Sequence, residues 1–144
     1  GGAVPAGHGP SDPLSRRMSG EERAAEVVAA ARALVGVPFR LHGRDRDGLD
    51  CVGVAALALG RAAPRGYGLR SGDTAKAADW LKAAGLRPVV EGGAGDLALV
   101  RPGPLQLHLM VGTGAGFVHA HAGLRRVVEM PGESPWPIIG WWRA

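Results

Sequence analysis

The sequence predicts an α+β domain in which N-terminal helices pack on an antiparallel sheet. Before Gly85, three segments combine a helix-capping residue with an apolar face or an apolar run. After Gly85, six short β-prone segments follow one another between Gly and Pro residues. Helices first and strands afterward are typical of the α+β class.

The length of 144 residues is suited to one domain with a substantial core. The first seventeen residues, GGAVPAGHGPSDPLSRR, are rich in Gly and Pro and lack periodicity. They predict a flexible leader or a segment added for expression, with Met18 as the native start. The folded domain is therefore expected to span residues 18–144.

The first predicted helix begins after Ser19, which can cap it, while Glu22 completes a capping box and Gly36 suits the stop. Its expected buried face consists of Val27, Val28, Ala31, Leu34 and Val35.

The second predicted helix runs from Cys51 to about Leu59, with Asp50 as its cap. It is apolar on every side, which predicts nearly complete burial. The third runs from about Thr74 to Ala84, and its expected cap is Asp73.

The predicted strands are RPVV, DLALV, LHLMVG, FVHAHA, RRVVEM and IIGWWR. TGAG between the third and fourth is a hairpin signal. Alternation places His108 on the face of Met110, and His119 and His121 on the face of Phe117. His108 is therefore expected to contact His119 or His121, and spacing leaves that choice open. Trp136, Trp141 and Trp142 are interpreted as core and edge packing, with stacking on sugar rings or docking of a partner as the alternatives.

Cys51 is the only cysteine, which excludes an internal disulfide, and no Cys/His cluster has zinc-finger spacing. At a helix start beside an imidazole, its thiol is expected to ionise at neutral pH and act as a nucleophile. Cys51, His108 and His119 then supply nucleophile, base and orienting residue. The plainer interpretation is an inert core thiol and two half-buried strand histidines; a zinc site on the same residues is disfavoured.

The charge balance is modestly basic, with 17 Lys and Arg against 13 Asp and Glu. No basic run with interleaved aromatic residues occurs, so no nucleic-acid partner is predicted. No apolar run reaches the roughly 18 residues that span a bilayer, and no secretory signal is recognisable. The chain is expected to be soluble, without membrane insertion, an export signal of its own or a cofactor.

Three ordered stretches carry a resemblance to a known family: LVGVPFRLHGRDRDGLDCVGVAALAL, GDLALVRPG and LHLMVGTGAGFVHAHAGLRRVVE. Together they resemble the NlpC family of papain-like cell-wall cysteine peptidases, especially the branch found in phage tails and gene transfer agents. The similar motifs are G-x-P-[YF]-R-x-x-G, D-C-x-G, an H-L-x-[IVM] strand and a V-H-A strand followed by R-V-V-E. The resemblance covers roughly Glu22 to Ala144 and implies a papain-like α+β domain.

The resemblance implies that Cys51 is the nucleophile, His108 the general base and His119 the residue that orients His108. It implies hydrolysis of peptide bonds in peptidoglycan stem peptides by a tail-tip component that opens the cell wall for DNA delivery. The expected partners are stem peptides and other tail-tip proteins. The expected location is a phage-like tail, assembled in the cytoplasm and acting on the wall in the periplasm.

Two positions depart from the family pattern: Phe39 stands where a Tyr is usual and supplies no hydroxyl, and Val52 replaces the small polar or aliphatic residue that varies after the Cys. The loss of the hydroxyl implies either weaker stabilisation of the oxyanion or another donor, for which His42 is a candidate, although an exposed loop histidine is its plainer interpretation. The alternative function is a structural tail or assembly protein with the same fold and little or no catalysis. A second alternative transfers the acyl group to an amine or lipid instead of water.

Overall fold

A computed structural model of the chain describes residues 19–62, 69 and 72–144. The predicted leader, residues 1–17, and Met18 lie outside the described residues. Within them, no helix is both long enough and apolar enough to cross a membrane.

The described helices are α1 (Gly20–Arg32), α2 (Cys51–Leu59) and α3 (Thr74–Ala83). Each begins where its capping residue predicts. Ser19 and Glu22 form the reciprocal capping box, and Asp50 and Asp73 accept backbone N–H groups of the first turns of α2 and α3. Gly60 ends α2 in the left-handed conformation that favours glycine.

Six strands form the main sheet: β3 (Arg87–Val89), β4 (Leu97–Gly103), β5 (Gln106–Gly112), β6 (Gly116–His121), β7 (Arg126–Pro131) and β8 (Ile138–Arg143). They are antiparallel and lie in the order β3–β8–β4–β5–β6–β7. All six predicted strands are present, and the α+β prediction is confirmed.

Alternation along the strands separates two apolar clusters. One face packs against the helices, and α2 contacts α1, β5 and β6. That cluster includes Leu97, Leu99, Leu109, Val111 and Val118. The opposite cluster contains Ala98, Val100, Met110 and Phe117, with Trp136 and Trp141 packed against it. The central strands are thus covered on both faces, which fixes their register.

Three local features differ from the sequence prediction. Val35 is 45% exposed, because α1 ends at Arg32 and the turn that follows carries this side chain away from the buried face. Leu57 is 42% exposed, so the burial of α2 is incomplete on one side. A small hairpin, β1 (Arg44–Asp45) and β2 (Gly48–Leu49), was not predicted; it leads directly into Asp50.

Candidate active site

A cavity of about 350 Å³ brings the sequence-predicted site residues together. Cys51 at the start of α2, His108 on β5 and His119 on β6 all line it, and so does His121. Its other walls are largely apolar and include Phe39, Leu41, Leu69, Leu107 and Trp136. α2 is far in sequence from the hairpin of β5 and β6, and the three residues meet because α2 packs on both strands.

The hairpin that carries the histidines is paired at its closed end alone. The paired residues of β5 and β6 are Val111 with Val118 and Gly112 with Phe117, although the strands continue to Gln106 and His121. The hydrogen-bonded ladder is therefore lost toward the end that lines the cavity. Continuing its register would place His108 opposite His121.

The structure instead pairs His108 with His119. The His108 Nε2 and His119 Nδ1 atoms are 2.8 Å apart, and the two rings are nearly perpendicular. His121 Nδ1 accepts the backbone N–H of Leu124 at 3.0 Å, which ties His121 into the turn after β6. The choice that spacing left open is thus resolved in favour of a contact with His119.

The hydrogen bond between the imidazoles couples the tautomer of His108 to that of His119. When His108 donates its Nε2 proton to His119, its Nδ1 keeps a free lone pair and can accept a proton. His119, which is 1% exposed, is then an acceptor that holds the His108 ring in one orientation. In this tautomer the pair has one imidazole that can accept a proton and a second that orients it.

The Cys51 thiol lies at the first turn of α2, close to the backbone N–H groups of Leu109 and Val52. Burial nevertheless raises its pKa to about 12, and the nearby Asp50 carboxylate adds to the rise. Burial therefore opposes the thiolate expected at neutral pH, whereas the backbone N–H groups of Leu109 and Val52 and the Arg44 guanidinium lower the pKa of Cys51 and favour it.

Burial also favours the uncharged form of both histidines. Burial first, and then repulsion by His119 and His121, together lower the pKa of His108 to about 3. Burial and His121 lower the pKa of His119 to about 4. The resting cavity thus holds a neutral thiol beside neutral imidazoles. Transfer of one proton from Cys51 to His108 leaves its net charge unchanged.

Asp50 does more than cap α2. It is 2% exposed. Its Oδ1 accepts the N–H of Gly53 at 2.9 Å and faces the Arg44 guanidinium at 2.7 Å, while its Oδ2 accepts the N–H of His42 at 2.8 Å. One carboxylate therefore fastens the preceding loop and hairpin to the first turn of the helix that presents Cys51. The sequence indicated the cap but not the other two partners.

Gly53, two residues after Cys51, is required for a steric reason. An added Cβ on Gly53 would lie 2.2 Å from the carbonyl oxygen of Gly43, so backbone meets backbone at this point. A side chain would push the loop off the helix start. The D-C-x-G pattern thus combines a cap, a thiol and a close contact in one turn.

Phe39 and His42 are placed differently with respect to the cavity. Phe39 lines the cavity with an apolar ring that offers no hydrogen bond. His42 is exposed and is absent from the cavity wall, which does not support a role as a replacement donor. In the part of the chain that the structure describes, no group of three or more His, Cys, Asp or Glu is arranged to hold a metal ion.

The high thiol pKa predicts the pH profile of alkylation. Because the thiolate is the nucleophile, the rate of Cys51 alkylation by iodoacetamide is expected to rise about tenfold per pH unit from pH 7 to 10, without a plateau. The same thiol in urea should react faster at pH 8, since a solvated cysteine has a pKa of about 8.5. A plateau near neutral pH in the folded protein would show instead that Cys51 has already passed its proton to His108.

Comparisons with known proteins bear on the fold. No protein-family model and no curated protein sequence matches the chain. Solved structures do match. NlpC1 from Trichomonas vaginalis aligns with a TM-score of 0.65 at 18% identity, over 89% of this chain and 47% of its own, so this chain spans about half its length.

Two further matches extend over more of the other protein. The NlpC/p60 domain of the peptidoglycan hydrolase SagA aligns with a TM-score of 0.57 at 22% identity, over 84% of this chain and 97% of its own. The peptidoglycan hydrolase RipB from Mycobacterium tuberculosis aligns with a TM-score of 0.56 at 22% identity, over 94% and 72% of the two chains. The chain therefore has the fold of NlpC/P60 domains.

Proposed function

We propose that this protein is a cysteine peptidase that hydrolyses an amide bond in the stem peptides of peptidoglycan. The observation that carries the proposal is the hydrogen-bonded pair of His108 and His119 in one cavity with Cys51 at a helix start. A buried thiol in the core would need neither the cavity nor the paired imidazoles.

The proposed reaction begins with proton transfer from the Cys51 thiol to His108 as sulfur attacks the substrate carbonyl carbon. The carbonyl oxygen becomes an oxyanion, for which the N–H of Cys51 in the first turn of α2 is the proposed donor. His108 returns the proton to the leaving amine as the C–N bond breaks, and a thioester remains. Water, deprotonated by His108, then releases the acid and regenerates the thiol.

The resting protonation states determine when the proton transfer takes place. Burial disfavours an isolated thiolate or an isolated imidazolium, but the two charges formed by proton transfer attract each other in the same low-dielectric cavity. The ion pair therefore forms as the substrate carbonyl is attacked rather than in advance. The apolar walls support this order, because a bound substrate displaces water from the site.

The substrate class is supported by the shared fold and by the motifs around the three residues. SagA and RipB are peptidoglycan hydrolases, and their domains align with most of this chain. Which amide bond of the stem peptide this protein cleaves is to be determined from the masses of the fragments. Gln106 also lines the cavity, and its amide can form a hydrogen bond with a bound peptide.

The biological setting is a separate part of the proposal. The resemblance of the motifs to phage-tail and gene-transfer-agent members supports a tail-tip enzyme that contacts other tail proteins and acts on the wall in the periplasm. Detection of the protein in purified particles, by an antibody against the domain, would test that setting.

The direct test is digestion of purified sacculi by the wild-type protein, with Cys51→Ala as the matched control and mass analysis of the fragments. Release of stem-peptide fragments with new carboxyl and amino ends, by the wild type alone, is expected. Products joined to an amine or lipid would indicate acyl transfer. No release by folded wild type from sacculi of the proper host would favour the structural tail role, which the apolar ring of Phe39 and the raised pKa of the buried Cys51 thiol support.

A further inference from the structure

We infer that Trp136 is a positioning residue, whose indole holds the His108–His119 pair in its working orientation. The inference rests on the proposed function for its expected effect on rate. Sequence reasoning placed Trp136 in core and edge packing. The structure places it in the wall of the cavity, against both imidazoles.

The contacts of the indole with the two histidines are equivalent. Its ring centroid lies 5.8 Å from that of His108 and 5.8 Å from that of His119, and it is nearly perpendicular to both rings, at 85° in each case. Perpendicular aromatic pairs at this distance are favourable, because the electron-poor edge of one ring meets the electron-rich face of the other. A single side chain thus packs on both members of the pair.

His119 depends on such packing for its orientation. Its Nδ1 accepts a side-chain hydrogen bond from His108, whereas its Nε2 is buried and has no hydrogen-bond partner among the described residues. One hydrogen bond does not prevent an imidazole from turning about its own bond to Cβ. Rotation or water entry would let His119 release His108, which would then sample the tautomer that cannot accept the thiol proton.

The segment before β8 is built to hold the indole in place. Ser134 Oγ donates to the carbonyl of Trp136 at 2.7 Å and accepts its N–H at 3.1 Å, closing a tight turn. Pro135 and Pro137 flank Trp136, and their rings restrict the backbone on either side. The carbonyl of Pro137 accepts the N–H of Arg101 on β4 at 3.0 Å. The side chain is therefore presented from a backbone with little freedom.

Trp141, on β8, provides a matched control. It is also half-buried and packs in the same apolar cluster as Trp136. It stacks on Phe117, with ring centroids 5.9 Å apart. Trp141 and Trp136 both line a second cavity of about 480 Å³. Trp141 does not line the cavity of Cys51, so its loss perturbs packing without touching the histidine pair.

The test reads the tautomers of His108 and His119 directly from nitrogen-15 NMR spectra of the imidazoles at neutral pH. The wild type is expected to show one fixed tautomer for each ring, and Trp136→Ala to show averaged shifts. Trp136→Phe should restore the fixed pattern, and Trp136→Leu, which fills space without an aromatic ring, should not. Trp141→Ala should leave both histidines as in the wild type.

Steady-state kinetics of the same variants provide a second test. Trp136→Ala is expected to lower kcat by about 10²-fold, the cost of a small misplacement of a catalytic group, with KM changed far less. A loss confined to KM, a fixed tautomer in Trp136→Ala, or an equal disturbance by Trp141→Ala would overturn the inference. If Trp136→Ala does not fold, the comparison of the imidazole tautomers in Trp136→Phe and Trp136→Leu tests the inference. Inactive wild type refutes the proposed function alone, because the NMR result stands without turnover.

Discussion

Turnover of peptidoglycan is expected to disappear in Cys51→Ala and to fall about 10²–10⁴-fold in His108→Ala, the usual contribution of a positioned general base. The two losses differ in kind. Without Cys51 there is no atom to form the thioester. Without His108 the thiol remains, but its pKa of about 12 leaves almost no thiolate at neutral pH, and no group takes its proton. The rate of fragment release from sacculi measures both.

The pairing of the imidazoles predicts a graded series for the remaining histidines. His119→Ala should lower turnover substantially without abolishing it, because His108 keeps its basic nitrogen but loses the partner that orients it. His119→Gln, which can still accept a hydrogen bond, should recover part of the loss. His121→Ala should cost least, since His121 Nδ1 is occupied by the N–H of Leu124 in the turn after β6.

Each variant of this series requires the same control. Thermal unfolding and circular dichroism must match the wild type before a rate is interpreted, because His119 is almost wholly buried and its loss leaves a cavity. A much larger loss in His121→Ala than in His119→Ala would contradict the assignment of His119 as the orienting residue. Full activity in His108→Ala would remove the base from the proposed mechanism.

Local signals account for what the sequence predicted correctly. The caps at Ser19, Asp50 and Asp73 mark helix starts because a side-chain oxygen must satisfy N–H groups that lack a partner in the first turn. The strand segments follow from β-branched and aromatic residues between glycines and prolines. These signals act within a few residues, so a single sequence is sufficient to read them.

The features that the sequence missed depend on contacts between distant segments. The choice of His119 over His121 follows from the point at which β5 and β6 stop pairing, and no local pattern marks that point. The rise in the pKa of Cys51 was not foreseen, because a helix start is a local feature, whereas desolvation of the thiol arises from α2 packing against β5 and β6. Trp136 reaches the histidines through the turn before β8, which sequence periodicity does not describe.

Asp50→Ala is expected to lower the free energy of unfolding by about 3–5 kcal/mol, as for removal of one partner of a buried ion pair. The carboxylate is almost inaccessible, and the side chain of Arg44 opposite it is 16% exposed. The substitution removes the acceptor of the His42 and Gly53 N–H groups together with the negative charge that Arg44 faces. The midpoint of urea unfolding measures the effect.

Asp73→Ala is the matched control, because Asp73 caps α3 through the same side-chain hydrogen bond, to the N–H three residues on, but on an exposed surface. Its loss should cost about 0.5–2 kcal/mol, the value of an ordinary cap, and leave kcat unchanged. Equal destabilisation by the two substitutions would mean that Asp50 is only a cap.

Asp50→Asn separates the cap from the charge. Asparagine is a good N-cap and retains an oxygen for Gly53, but it is neutral opposite Arg44 and presents an amide where the carboxylate accepted a second N–H group. We expect a folded protein, destabilised less than Asp50→Ala, with a lower kcat because the loop before α2 is no longer fastened to the turn that presents Cys51. Wild-type kcat in this variant would show that the cap alone positions the thiol, and that the Arg44–Asp50 pair serves stability instead.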